Sequence, residues 1–159
     1  MRTLRRSACL VALLLYAPLT SAGDFSGRVV GVTDGDTIKA LDAGREVKVR
    51  LHGIDSQEKR QAFGQKAKEY ASSLAYGRDV TVRETDVDRY GRTVAWVILP
   101  DGRNLNKEMV RVGLAWWYRK YAARDRELER LESEARAARR GLWQDREPVP
   151  PWEWRKVRR

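Results

Sequence analysis

The stretch Arg28-Val29-Val30-Gly31-Val32-Thr33-Asp34-Gly35-Asp36-Thr37-Ile38-Lys39-Ala40-Leu41-Asp42-Ala43-Gly44-Arg45-Glu46-Val47-Lys48-Val49-Arg50-Leu51 decides the fold. Arg28 to Val32 reads as a strand that runs into the Asp34-Gly35 turn. Thr37 to Leu41 reads as a second strand, ended by the Asp42-Ala43-Gly44 turn. From Glu46 to Leu51 the alternation is clean: Val47, Val49 and Leu51 share one face, while Lys48 and Arg50 share the other. Short strands joined by tight turns bury little as a flat meander, so they predict a sheet that curls and closes on itself. The same alternation takes Arg50 off the apolar face, where it is free to serve a site.

Downstream, Phe63, Ala67, Tyr70, Ala71 and Leu74 recur at helical spacing and predict a helix over 62–75, ended by Tyr76-Gly77. Two further strands are expected near 79–83 and 93–99, joined by a loop over Asp88 to Arg92, with Pro100-Asp101-Gly102 as a turn. A short helix is expected from Asn104, with Leu105, Met109 and Val112 inward and Gly113 as its stop. The longest helix is expected over 124–140, with Leu128, Leu131, Ala135 and Ala138 as its buried stripe and Glu132–Arg136 as a surface pair. Glu147-Pro148-Val149-Pro150-Pro151 reads as an extended connector to Trp152, Trp154 and a basic end. The expected class is α+β: a small β-barrel of about five strands with about three helices.

The 159 residues suit one domain. A basic leader, Met1 to Arg6, precedes the apolar run Ala8 to Leu19 and the small residues Thr20-Ser21-Ala22, the pattern of a cleaved signal peptide. The expected organisation is therefore a signal peptide over 1–22, one folded domain over 23–146 and a Pro/Trp-rich basic tail over 147–159. Export to the cell exterior or a periplasm follows, with no stable membrane insertion once the leader is gone. Cys9, the single cysteine, lies inside the leader, so the mature domain relies on its apolar core and on any bound metal rather than on disulfides. The formal charge of +10 falls to +7 without Arg2, Arg5 and Arg6, and a basic balance of this size favours polyanionic partners. A monomer is expected.

Two segments carry the chemistry. The first comprises Asp34-Gly35-Asp36-Thr37 together with Arg50-Leu51-His52-Gly53-Ile54-Asp55-Ser56-Gln57-Glu58; the second is Asp88-Arg89-Tyr90-Gly91-Arg92. Asp36 and Asp55 are hard oxygen ligands suited to Ca²⁺, with Mg²⁺ or another hard divalent cation as substitutes, and the Ser56 carbonyl is a third candidate donor. Asp34 and Thr37 are candidates to support these ligands from behind. Glu58, three residues beyond Asp55, is placed to act as a general base on water. Arg50 and Arg92 can each fork onto phosphate oxygens, most usefully when the phosphorus becomes five-coordinate. Such a set is suited to breaking a phosphodiester. Arg89, Tyr90 and Tyr118 are candidate substrate contacts, the tyrosines by stacking on bases.

Both segments resemble the signature motifs of the thermonuclease (staphylococcal nuclease-like) family. The resemblance runs from about Arg28 to Trp143 and takes in Gly113-Leu114-Ala115 and Gly141-Leu142-Trp143. It implies an OB-fold barrel with added helices and Ca²⁺-dependent cleavage of DNA and RNA. It also implies departure of the 5′ oxygen and 3′-phosphate products. By motif it makes Asp36, Asp55 and the Ser56 carbonyl metal ligands, Glu58 the general base, and Arg50 and Arg92 the catalytic arginines. Two departures stand out. Gln57 replaces a proline, which is expected to loosen Glu58, and Ile98 replaces an aromatic.

Each motif has a plainer reading. Asp-Gly-Asp-Thr and Tyr-Gly-Arg are common turn sequences, and Arg50 with Glu58 can be an ordinary ion pair. Their joint occurrence, in order, favours the enzyme. The alternatives are a non-catalytic OB-type module that binds nucleic acid, and a protein that adheres to anionic surfaces through charge alone. Neither alternative needs Glu58 beside both aspartates and both arginines. His52, the only histidine, excludes two-histidine ribonuclease chemistry and is expected in a structural role. A Cys/His zinc site is equally implausible without mature cysteines. Trp116, Trp117 and Tyr121 are divided between core and stacking roles, and Trp152 and Trp154 are expected to fasten the tail.

Overall fold

The computed structural model describes residues 23–157; the leader of 1–22 and the last two arginines lie outside them. Five strands form a closed barrel in the order β1-β2-β3-β6-β5. They are β1 (Phe25–Asp34), β2 (Thr37–Asp42), β3 (Arg45–Leu51), β5 (Asp79–Val87) and β6 (Thr93–Ile98), with β4 (Ile54–Ser56) lying outside the barrel. The chain also forms α1 (Gly64–Ala75), α2 (Leu105–Arg111), β7 (Ala115–Trp117), α3 (Arg119–Ala122), α4 (Arg126–Ala137), a 3₁₀ turn (Gly141–Gln144) and α5 (Pro151–Val157). This is the expected α+β OB-type barrel, with more helices than the three expected.

Alternation fills the barrel. Val29, Ile38, Ala40, Val49, Leu51, Val80, Val82, Ala95 and Val97 are fully buried and contribute to one continuous core. Meander pairing sets Thr37 opposite Arg50, and the parallel β3–β6 pair sets Arg50 opposite Val94. Arg50 therefore lies in the strand that closes the barrel, on its outer face.

Helix α1 begins two residues later than expected. Phe63 adopts φ 66°, outside the helical region, so the helix starts at Gly64. The closeness required there is severe: a Cβ at Gly64 would stand 2.0 Å from the Glu58 carbonyl oxygen. Helix α4 starts at Arg126 because Asp125 caps it, accepting from the Glu127 and Leu128 amides at 3.0 and 2.9 Å. Of its expected stripe, Leu128, Leu131 and Ala135 are buried and Ala138 is exposed. Glu132 does pair with Arg136 at 3.4 Å, but it is no surface residue. Its carboxylate is buried, accepts the Trp117 amide at 3.1 Å and pairs with Arg119 at 3.2 Å. The α4 face thus holds β7 in place.

Asn106 pins α2 to the barrel. Its amide donates to the His52 and Ala95 carbonyls, both at 3.0 Å, and its oxygen accepts the Val97 N–H at 3.1 Å, so a fully buried amide is satisfied on both sides. Among the described residues no helix is long and apolar enough to cross a membrane.

Candidate active site

The Asp34-Gly35-Asp36 turn between β1 and β2 folds against β4. A Cβ at Gly35 would come within 2.7 Å of the Ala67 Cβ and 2.9 Å of the Ser56 Cβ, so only glycine permits the approach. Asp36 is consequently buried. Its Oδ2 accepts the Ser56 amide at 2.6 Å, its Oδ1 accepts the Thr37 hydroxyl at 3.1 Å, and its own amide donates to Asp34 Oδ1 at 3.1 Å. Asp55 is carried by β4, which pairs with β7 and sets Asp55 opposite Trp116.

Arg50 joins the two aspartates. Its Nη2 lies 2.9 Å from Asp55 Oδ1 and 3.3 Å from Asp36 Oδ2, while Nη1 donates to the Leu51 carbonyl at 2.9 Å. Two buried carboxylates thus converge on one nitrogen atom. Burial and the charge of Asp36 push the Asp34 carboxyl up to about 7. Burial and Asp36 likewise raise Asp55 to about 6, against the pull of Arg155 and Arg50. Burial would raise Asp36 as well, but Arg50 and the Ser56 amide prevail and hold it below the usual carboxylate range. The result is a pocket of crowded anionic oxygen that favours additional positive charge.

That donor set fits a hard divalent cation: two converging carboxylates, with Ser56 beside them. No group of three or more His, Cys, Asp or Glu side chains that could hold an ion occurs among the described residues. Any ion here would therefore take much of its coordination from the backbone, water or substrate, as an open catalytic site does.

Glu58 follows in a turn fixed by its own amide, which donates to Gln61 Oε1 at 3.0 Å. Its carboxylate is linked to Asp55 through Arg155, a residue of α5 that sequence reasoning did not single out. Arg155 Nη1 lies 2.7 Å from Glu58 Oε1, and Nη2 lies 2.7 Å from Asp55 Oδ2. Gln57, the replacement of proline expected to loosen Glu58, is itself held. It is buried, its amide donates to the Val149 carbonyl at 3.2 Å, and its oxygen accepts the Trp116 indole N–H at 3.2 Å. The segment read as an extended tail becomes helical from Pro151 and lies against the site.

Arg89, Tyr90 and Arg92 form a separate cluster in the β5–β6 loop. Asp88 organises it, accepting the Tyr90 and Arg92 amides at 2.9 and 3.0 Å and the Arg92 Nε at 2.7 Å. Both guanidinium groups lie near the exposed Tyr90 ring, at 4.8 and 5.6 Å from its centroid. Arg92 precedes β6 by one residue and β6 lies beside β3, with Thr93 opposite Val49 and Val94 opposite Arg50, so the two arginines come from adjacent strands at nearby register positions. Within the described contacts, however, Arg92 engages Asp88 rather than the aspartate pair. Tyr118 follows β7, its amide bonded to the Gly53 carbonyl, and its ring is stacked under Trp152. Trp116 and Trp117 are buried, and Tyr121 is exposed. His52 is half-buried, edge-on to Trp96 and hydrogen-bonded to Thr85.

Residues 48–145 match the family model described as staphylococcal nuclease homologue. The chain is 45% identical to a protein of Escherichia coli O157:H7 named uncharacterized endonuclease, over 96% of this chain and 98% of that one. It is 40% identical to a micrococcal nuclease of Shigella flexneri, over 97% and 92%. It is 41% identical to an uncharacterized endonuclease of Haemophilus influenzae, over 96% and 87%.

Proposed function

Because the chain belongs to the staphylococcal nuclease family, we propose that it is a metal-dependent endonuclease that hydrolyses phosphodiester bonds of DNA and RNA. The observation that carries this reading is the convergence of Asp36 and Asp55 on a single nitrogen of Arg50. Asp36, Asp55 and the Ser56 carbonyl would hold a hard divalent cation, Ca²⁺ in the first instance. That ion would supply Lewis-acid neutralisation of the phosphate.

The chain's own residues account for the remaining requirements. Glu58 takes a proton from the attacking water at its carboxylate, a role open to it only when that carboxylate is free. Arg50 and Arg92 hold phosphate oxygens and gain strength as charge collects on them at five-coordinate phosphorus. Neither arginine surrenders a proton, since guanidinium holds it too firmly. The 5′ oxygen leaves with a proton taken from water, giving 3′-phosphate products. Asp34 and Thr37 fix Asp36, and Tyr90, Arg89 and Tyr118 contact the substrate. The protein acts as a monomer and is exported; the support for export is the sequence of residues 1–22 alone.

The test is cleavage of plasmid DNA and of RNA by the purified protein, with Ca²⁺ or with chelator, beside Glu58→Gln. Ca²⁺-dependent cleavage that falls by about 10²–10⁴-fold in the variant is the expected result. Retained nucleic-acid binding without cleavage would make the protein a binding module on a nuclease scaffold.

A further inference from the structure

The helix α5 is docked at three levels. Upstream, the Val149 carbonyl accepts from Gln57 Nε2 at 3.2 Å and from Gln61 Nε2 at 2.6 Å. In the middle, the Trp152 ring lies parallel to Tyr118, with centroids 5.1 Å apart and planes at 4°, and edge-on to Trp116 at 5.6 Å. Downstream, the Arg155 guanidinium spans the Asp55 and Glu58 carboxylates. A helix of seven residues has no stability of its own, so its order comes from these contacts.

We propose that α5 is an intramolecular competitor of the nuclease site: Arg155 occupies the carboxylates that would bind the cation and activate water, and Trp152 covers the tyrosine face that would stack a base. This rests on the metal-dependent reading given above. A guanidinium 2.7 Å from Asp55 Oδ2 and a divalent cation on the same carboxylate repel one another, and of the two arginines on Asp55 it is Arg155, 43% exposed against 14% for Arg50, that has room to leave. A Glu58 carboxylate bound to Arg155 does not accept a proton from water. Release is nevertheless inexpensive. Arg155 and Glu58 are 43% and 40% exposed, so that pair is weak, and at the buried Asp55 the incoming cation replaces the charge that Arg155 takes away. Gln57 then has a specific purpose: where a proline would offer no side-chain hydrogen bond, it holds the chain leading into α5. A helix seated in about nine molecules of ten would weaken apparent metal affinity about tenfold.

The experiment is calorimetric Ca²⁺ titration of the full chain as wild type, Arg155→Gln, Arg155→Lys, Trp152→Ala and Asp36→Asn, without nucleic acid. Arg155→Gln and Trp152→Ala are each expected to tighten the Ca²⁺ dissociation constant about tenfold, while Arg155→Lys stays near wild type. The Trp152 variant keeps every charge, so its effect reports undocking and not a local field. Unchanged or weaker Ca²⁺ binding in either variant overturns the proposal, as does tightening confined to Arg155→Gln. The control separates the two readings. If Asp36→Asn binds Ca²⁺ as wild type does, or no form binds it, the metal site itself is wrong and the competitor falls with it. If Asp36→Asn alone loses affinity, only the competitor fails.

Discussion

The carboxylate cluster around Arg50 and the Asp88–Arg92 loop each supply one arginine to the proposed reaction, yet the two are held in opposite ways. Arg50 is fixed from two places outside its own strand, the β1–β2 turn and β4, with its partners Asp36 and Asp55 almost wholly buried. Arg92 is fixed by Asp88, four residues away, in a loop whose Tyr90 is open to solvent. The first arrangement is part of the barrel's own structure, and the second is attached to it. Stability and catalysis should therefore be coupled at Arg50 and separable at Arg92.

Paired substitutions test that contrast most forcefully. Arg50→Gln and Arg92→Gln should each lower turnover about 10²–10³-fold, as measured by plasmid cleavage at saturating Ca²⁺. Only Arg50→Gln should also destabilise the fold, by about 3 kcal/mol in urea denaturation, because it leaves buried carboxylates facing one another. Equal stability of the two variants would erase the distinction. Gly64→Ala should cost about 1–3 kcal/mol by forcing the Glu58 carbonyl away, and should depress turnover without touching any charged group. If the variant keeps both stability and rate, the turn bearing Glu58 is more pliable than its packing implies.

The smallest effect belongs to Asp88. Burial acts to raise its carboxyl, but the hydrogen bonds from Arg92 and Tyr90 outweigh burial and hold it below its ordinary value of 3.8. Its contribution to loop order is then complete above that ordinary value and is lost as pH falls through the depressed one. Asp88→Asn should cost less than about 1 kcal/mol overall. It should lower the protection factors of the Tyr90 and Arg92 amides at neutral pH to the values wild type reaches only in acid. Slow exchange in the variant would mean that the loop is ordered by something other than Asp88.

The same contrast governs what the sequence made legible. The barrel strands announce themselves by alternation, as Val47, Val49 and Leu51 do, because each is long enough to carry a period of two. β4 and β7 are three residues each, too short for any period, although they position Asp55. That Asp36, Asp55 and Arg50 belong to one cluster was legible from residue type and spacing. The linkage of Glu58 to Asp55 was not, because it runs through Arg155, 97 and 100 residues away along the chain. What holds Gln57 was hidden for the same reason: its partner Val149 is 92 residues distant, and the local comparison with proline cannot register it. Glu132 looked like one more charge on a solvated helix until the Trp117 amide came to rest against it.

The parallel β3–β6 pair has a consequence for how the molecule comes into being. Arg50 lies in the seam, opposite Val94, and the intervening chain must first form α1 and the β5–β6 hairpin. Pairings between segments so remote along the chain form slowly, after local ones have reduced the loop to be closed. Partly folded forms with an open seam lack the β6 strand that lies beside Arg50. Closing the seam thereby completes the surroundings of Arg50 late, after the local hairpins.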